Sequence, residues 1–159
     1  MRVLGIDPGF GRIGWAIIDG SRSRQGLVEY GCLETESNSA LALRLGEIYD
    51  FMLDLIGKYK PVAVAVEEIF YFKNQKTVIG VAQARGVILL AVVKAKVMCF
   101  NYSPLQVKST IAGYGKADKR QVQLMVKSQL GLKVVPKPDD AADAAAVALT
   151  HFFVNPKMI

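Results

Sequence analysis

The chain has 159 residues, 52% of them hydrophobic, with twenty Lys and Arg against fourteen Asp and Glu, a net charge of +6 and a pI near 9.4. That length suits one domain with a real core rather than two substantial ones, and the basic balance admits a polyanion such as nucleic acid as partner. Cys32 and Cys99 lack metal-ligand spacing, no secretory leader pattern opens the chain, and its most apolar segment, 78–93, is broken by Gln83 and Arg85 and falls short of the roughly 20 residues that span a bilayer. A zinc-thiolate, secreted or membrane-spanning protein is thereby disfavoured; a cytoplasmic protein with two buried, reduced thiols is expected.

"RVLGID" (2–7) reads as a buried strand, "PGFG" as a turn and "RIGWAIID" (12–19) as the antiparallel partner, because Pro presets a turn and Gly supplies unusual backbone angles. "LVEYGCLET" (27–35) alternates as a third strand of the same meander. Leu41, Leu45, Ile48, Met52, Leu55 and Tyr59 then recur at helical spacing, with Ser37 and Ser39 as N-cap candidates. "PVAVAVEEIF" (61–70) has no polar alternation until Glu67, the pattern of a central strand covered on both sides. A helix over 75–95, a strand over 97–102, and helices over 104–110, 119–130 and 139–153 complete the chain. The order predicts a single α/β domain over 1–159 with a mixed five-stranded sheet and helices on both faces.

Acids stand where burial predicts none: Asp7 ending the first strand, Glu67 and Glu68 ending the fourth, and Asp139, Asp140 and Asp143 opening the last helix. Each alone has an ordinary structural use, as a turn opener, an edge ion pair or a helix N-terminal acid. If strands one and four are neighbours, however, their carboxyl ends meet, and Asp140 and Asp143, three apart on one helix face, can close over them. Two carboxylates ~4 Å apart repel by roughly 4 kcal/mol at an effective dielectric near 20, so such a group calls for a cation. All-oxygen ligation favours Mg²⁺ or Mn²⁺, and two such ions can drive phosphodiester hydrolysis. Spacing alone leaves open whether Asp143 pairs with Asp139 or Asp140, and whether Glu67 or Glu68 faces the site.

"GIDPGFGRIGWAIID", "VAVEEIFYFKNQKT" followed by "AQARG", "SPLQVKSTIAGYGKADKRQV" and "DDAADAAAVALTH" together resemble the bacterial RuvC family of Holliday-junction resolvases over nearly the whole chain. The resemblance implies a ribonuclease H-like fold and a homodimeric, metal-dependent endodeoxyribonuclease. Such an enzyme places paired symmetric nicks in four-way DNA junctions during recombination and repair, with two Mg²⁺ per site for which Mn²⁺ substitutes. It also implies Asp7, Glu67, Asp140 and Asp143 as catalytic metal ligands, and leaves Asp139 and Glu68 outside the pattern. Lys108 and Lys119 match basic positions near the junction strands, and Phe70 matches an aromatic that contacts an unstacked base. Lys116 and Arg120 thicken that phosphate-binding patch, and Lys73 and Lys76 join Phe70, Tyr71 and Phe72 in a stacking-plus-phosphate composition. The apolar helix 75–95 suits a dimer interface with twofold symmetry like that of the junction, and a branch-migration helicase complex is a further partner to expect. His151 is expected to be structural and Trp15 to be a core residue. A sugar-kinase-like phosphotransferase would need a second lobe. An RNA-processing nuclease of related fold does not readily account for "DAAD" together with "QVK" and "ADK", and a binding-only protein would not keep every matched acid.

Overall fold

The computed structural model describes residues 1–69 and 75–155, without the side chains of 75–77. Five strands, β1 (Arg2–Asp7), β2 (Arg12–Gly20), β3 (Gln25–Glu34), β4 (Ala63–Glu67) and β5 (Met98–Tyr102), form one sheet in the order β3-β2-β1-β4-β5. β3, β2 and β1 are antiparallel neighbours, whereas β1, β4 and β5 run parallel. β1 and β4 are neighbours, which is the condition for their terminal acids to meet, and the mixed sheet is as expected. So are the helices α1 (Leu41–Tyr59), α2 (Gln75–Lys94), α3 (Pro104–Ala112), α4 (Lys119–Gln129) and α5 (Asp139–Val154).

Strand alternation divides the core in two. Leu4, Ile6, Ile13, Ile17, Val64 and Val66 pack toward α1 and α2 with Ile48, Met52, Ile88 and Val92. Val3, Ala16, Ile18 and Ala65 face the other way, against the alanines of α5 and the inner sides of α3 and α4. α5 comes so close to the sheet because Gly5 and Gly14 have no side chains. A Cβ at Gly5 would overlap the Ala144 carbonyl oxygen, and one at Gly14 the Asp140 carbonyl oxygen.

Helix starts divide into two kinds. Ser103 and Asp118 each accept a hydrogen bond from the backbone of the residue three on, Gln106 or Gln121, whose side chain returns the bond; these capping boxes fix where α3 and α4 begin. The expected serine cap of α1 is not found. Ala40 occupies that position without a side-chain bond, and the Ser39 hydroxyl donates to Glu36 instead. Pro138 precedes α5, so Asp139 and Asp140 stand in its first turn rather than capping it.

Two smaller expectations, the buried thiols and a core Trp15, are corrected. Cys32 and Cys99 are half-buried free thiols on the two edge strands, β3 and β5. α2 buries Val81, Ile88 and Val92 against the sheet but leaves Ile79 and Val93 about two-thirds exposed, at 64% and 66%. Trp15 is half-buried against Phe51 and Tyr59. His151 is fully buried, with Nδ1 2.8 Å from the Tyr102 hydroxyl, consistent with a structural role. No helix among the described residues is long and apolar enough to cross a membrane.

Candidate active site

The parallel pairing of β1 with β4 aligns Ile6 with Val66, so the next residues, Asp7 and Glu67, end their strands side by side. Both share the parity of Gly5 and Ala65 and therefore face α5. Glu68 has the opposite parity and is exposed; its backbone N–H donates to the Tyr102 carbonyl at 2.8 Å, and its side chain reaches only the rim of the cleft. Strand alternation thus separates two adjacent glutamates whose spacing to other motifs is the same.

From above, α5 presents Asp140 and Asp143, with side chains 29% and 24% exposed, while Asp139 turns outward to an ion pair with Lys137 at 2.7 Å. Asp140 sits directly over Gly14, which is paired across the ladder with Asp7. The helix dipole favours acids in this first turn, so α5 supports the charge that the sheet's carboxylates oppose.

Crowding shows in the proton affinities. Burial, then the charges of Glu67, Asp143 and Asp140, pushes the Asp7 carboxyl well above the usual carboxylate range. Burial, then Asp143, pushes Glu67 up to about 7, although an Asp7 hydrogen bond works in the opposite direction. Asp143 is raised by burial in spite of its bond to Lys119. Such mutual repulsion among hard oxygen donors is the chemistry of a divalent-cation site. As the side chains stand, no group of three or more His, Cys, Asp or Glu among the described residues is arranged to hold a metal ion. Protein cations account for two of the acids: Lys119 Nζ lies 2.7 Å from Asp143 Oδ2, and Arg12 Nε lies 3.2 Å from Asp140 Oδ2.

Glu67 separates two hollows. A cleft of about 300 Å³ is lined by Asp7, Gly9, Arg12, Glu67, Glu68 and Asp140, and a smaller cavity of about 90 Å³ by Glu67, Lys108, Lys119 and Asp143. Lys108 and Lys119 therefore flank the acids. Lys116 and Arg120 are exposed beside the start of α4. Phe70, Tyr71, Phe72 and Lys73 lie outside the described residues, as does the side chain of Lys76.

Three arginines were not singled out by sequence reasoning. Arg12 shares the parity of Gly14 and reaches across that bare position to Asp140. Arg85 donates from Nε to the Glu67 carbonyl at 3.1 Å and from Nη2 to Asn101 Oδ1 at 2.6 Å, fastening the end of β4 to α2. Arg44, buried beneath the turn after Asp7, stacks 3.7 Å from the Phe10 ring centroid and donates to the Phe10 carbonyl and Thr35 hydroxyl. Arg44 stands four residues before Ile48 and so shares the buried side of α1.

The family model described as crossover junction endodeoxyribonuclease RuvC matches residues 3–151. A protein of that description from Fusobacterium nucleatum is 52% identical over 95% of this chain and 80% of its own length. Another, from Caldicellulosiruptor saccharolyticus, is 46% identical over 100% of this chain and 96% of its own. Among solved structures, Thermus thermophilus RuvC in complex with a Holliday junction substrate superposes with a TM-score of 0.88 at 35% identity, covering 96% of this chain and 94% of that one.

Proposed function

The chain belongs to the RuvC family of crossover junction endodeoxyribonucleases, and from that premise we propose that it resolves four-way DNA junctions by paired, symmetric phosphodiester hydrolysis. The observation that supports this most directly is the meeting of Asp7 and Glu67 at neighbouring strand ends beneath Asp140 and Asp143, with burial and mutual charge raising Asp7, Glu67 and Asp143. One ribonuclease H-like domain spans the chain in this reading.

Asp7, Glu67, Asp140 and Asp143 would hold two Mg²⁺, with Mn²⁺ able to replace them. Bound there, the cations would make a water nucleophilic near neutral pH and stabilise the oxygen leaving phosphorus. The protein's own contribution is to place the donors. β1 and β4 fix two of them at the middle of the sheet, α5 fixes two on one helical face, and Arg85 anchors the β4 end. Lys119, 2.7 Å from Asp143, and Lys108 at the neighbouring cavity bring positive charge to where a scissile phosphate enters an otherwise acidic site. Lys116 and Arg120 extend that charge along the outer surface, and Phe70, Lys73 and Lys76 supply the stacking and phosphate contacts of the 70–76 segment.

A homodimer sets two such sites about a twofold axis, with the exposed Ile79, Leu90 and Val93 of α2 as its apolar contact. The free thiols suit a reducing cytoplasm, where a branch-migration helicase complex presents the junction.

Strand-resolved cleavage of a labelled four-way junction, beside linear duplex and an RNA–DNA hybrid, tests this. Paired nicks at symmetric positions on the junction, present in Mg²⁺ and absent in EDTA, are expected. Cleavage of the hybrid with an untouched junction would overturn the proposal.

A further inference from the structure

Arg12 opens β2 opposite Glu34 in the β2–β3 ladder, and its guanidinium is held between two acids, with Nε 3.2 Å from Asp140 Oδ2 and Nη2 3.4 Å from Glu34 Oε1. It lines the 300 Å³ cleft together with Asp7, Glu67, Glu68 and Asp140. The side chain is still 48% exposed, so its fork is not sealed into the protein. Nothing about the fold requires a cation there: Gly14 has already made room for α5, and Glu34 is 66% exposed and could be solvated alone. The pairing instead does something for Asp140, whose carboxylate faces other acids and has no other ion-pair partner among the described residues.

A divalent cation bound by Asp140 competes with Arg12 for the same oxygens. Once displaced, the guanidinium remains at the mouth of the cleft, with a planar set of donors that matches a phosphodiester. Resting on the resolvase reading of the site, we propose that Arg12 is a DNA-phosphate-binding residue held in reserve by Asp140, released when a divalent cation takes that carboxylate and then engaged by the strand entering the cleft. Metal loading and DNA binding are coupled through this one side chain. Lys119 already has the place beside Asp143; Arg12 adds a second contact on the opposite side of Glu67, in the larger hollow.

Two measurements on the intact protein test the idea. With no DNA present, Mn²⁺ titration calorimetry is expected to show binding about two- to fivefold tighter in Arg12→Gln than in wild type, because a half-exposed ion pair no longer competes. Unchanged or weaker Mn²⁺ binding would overturn the proposal. On a four-way junction, the salt dependence of equilibrium binding is expected to be shallower in Arg12→Gln by about 0.9 logarithmic unit in Ca²⁺ and equal to wild type in EDTA, one phosphate contact being lost only when the acid is occupied. Arg12→Lys, which keeps the charge, is expected to retain most of the Ca²⁺ slope. Equal slopes for wild type and Arg12→Gln in both conditions, or the same loss in EDTA, would show that Arg12 is a bystander or a permanent contact. Failure of the junction reading would appear separately, as wild-type binding without preference for the junction, while the DNA-free Mn²⁺ titration would still report the competition at Asp140.

Discussion

Toward α1 and α2 the three inner strands present Leu4, Ile6, Ile13, Ile17, Val64 and Val66; toward α5 the same strands present Gly5, Gly14, Ala16 and Ala65. The first face is ordinary branched aliphatic packing, in which large side chains fill the gap between sheet and helix. The second also buries Val3 and Ile18 but is bare at Gly5 and Gly14, where the backbone of α5 rests almost on the strands. Its loss of apolar volume brings Asp140 and Asp143 down to the level of Asp7 and Glu67. Both faces of the sheet bury a core, and the α5 face also assembles the acids, so single-residue parity decides which work a side chain does.

Substitutions that respect or violate this division test it. The largest effect is expected for Asp7→Asn and Asp143→Asn on the acid-bearing face. Nicking of a four-way junction should fall by about a thousandfold or more, since several kcal/mol of transition-state stabilisation is removed, while gel-shift binding stays near wild type. Retained Mg²⁺-dependent cleavage in either variant would contradict the role given to the acids. Next comes a neighbouring pair on opposite faces. Gly14→Ala places a methyl group against the Asp140 backbone and should cost about 1–3 kcal/mol of stability as well as most of the activity. Ile13→Val, on the aliphatic face, should cost about 0.5–1.5 kcal/mol and leave nicking unchanged. Denaturant melts and cleavage assays on the two proteins would show whether activity loss follows the face or only the stability.

The crowded acids also predict a pH dependence opposite to that of a salt-bridged carboxylate. Glu67 is raised in the folded protein from its ordinary 4.5 to about 7, with burial as the main cause. Between those values the folded chain holds a proton that the unfolded chain has released. Its stabilising contribution is therefore full below pH 4.5 and is lost as the pH rises toward 7. Chemical denaturation in EDTA should show that decline, and Glu67→Gln should flatten it. The smallest effect is expected on the outer surface, where Lys116→Ala should reduce the salt slope of junction binding by about 0.9 unit without changing the cleavage rate of bound junction.

Much of this architecture was legible beforehand because hydrophobic periodicity alone marks the strands and helices, whereas the β1–β4 neighbourhood stood only as a condition until the sheet order was in hand. What periodicity does not contain is the third dimension of the site. The choice of Glu67 over Glu68 was open from spacing, although parity with Ala63 and Ala65 carries the answer once the α5 face is known. Gly5 and Gly14 read as turn-and-strand glycines until the helix that needs their missing side chains is in place. Arg12 reads as a turn-flanking charge, because its partner Asp140 is 128 positions away in sequence. The serine cap expected for α1 failed for a local reason, since Ser39 found Glu36 first, whereas Ser103 and Asp118, not singled out beforehand, cap α3 and α4 by reciprocal bonds with Gln106 and Gln121.

The most direct measurement is a side-by-side, strand-resolved cleavage assay of Glu67→Gln and Glu68→Gln on the same labelled four-way junction in Mg²⁺, with binding measured in parallel. Loss of nicking in the first with near-wild-type nicking in the second, both proteins binding the junction, is the result expected if β-strand parity places one glutamate among the acids and its neighbour at the rim. Full activity in Glu67→Gln, or equal loss in both, would contradict it.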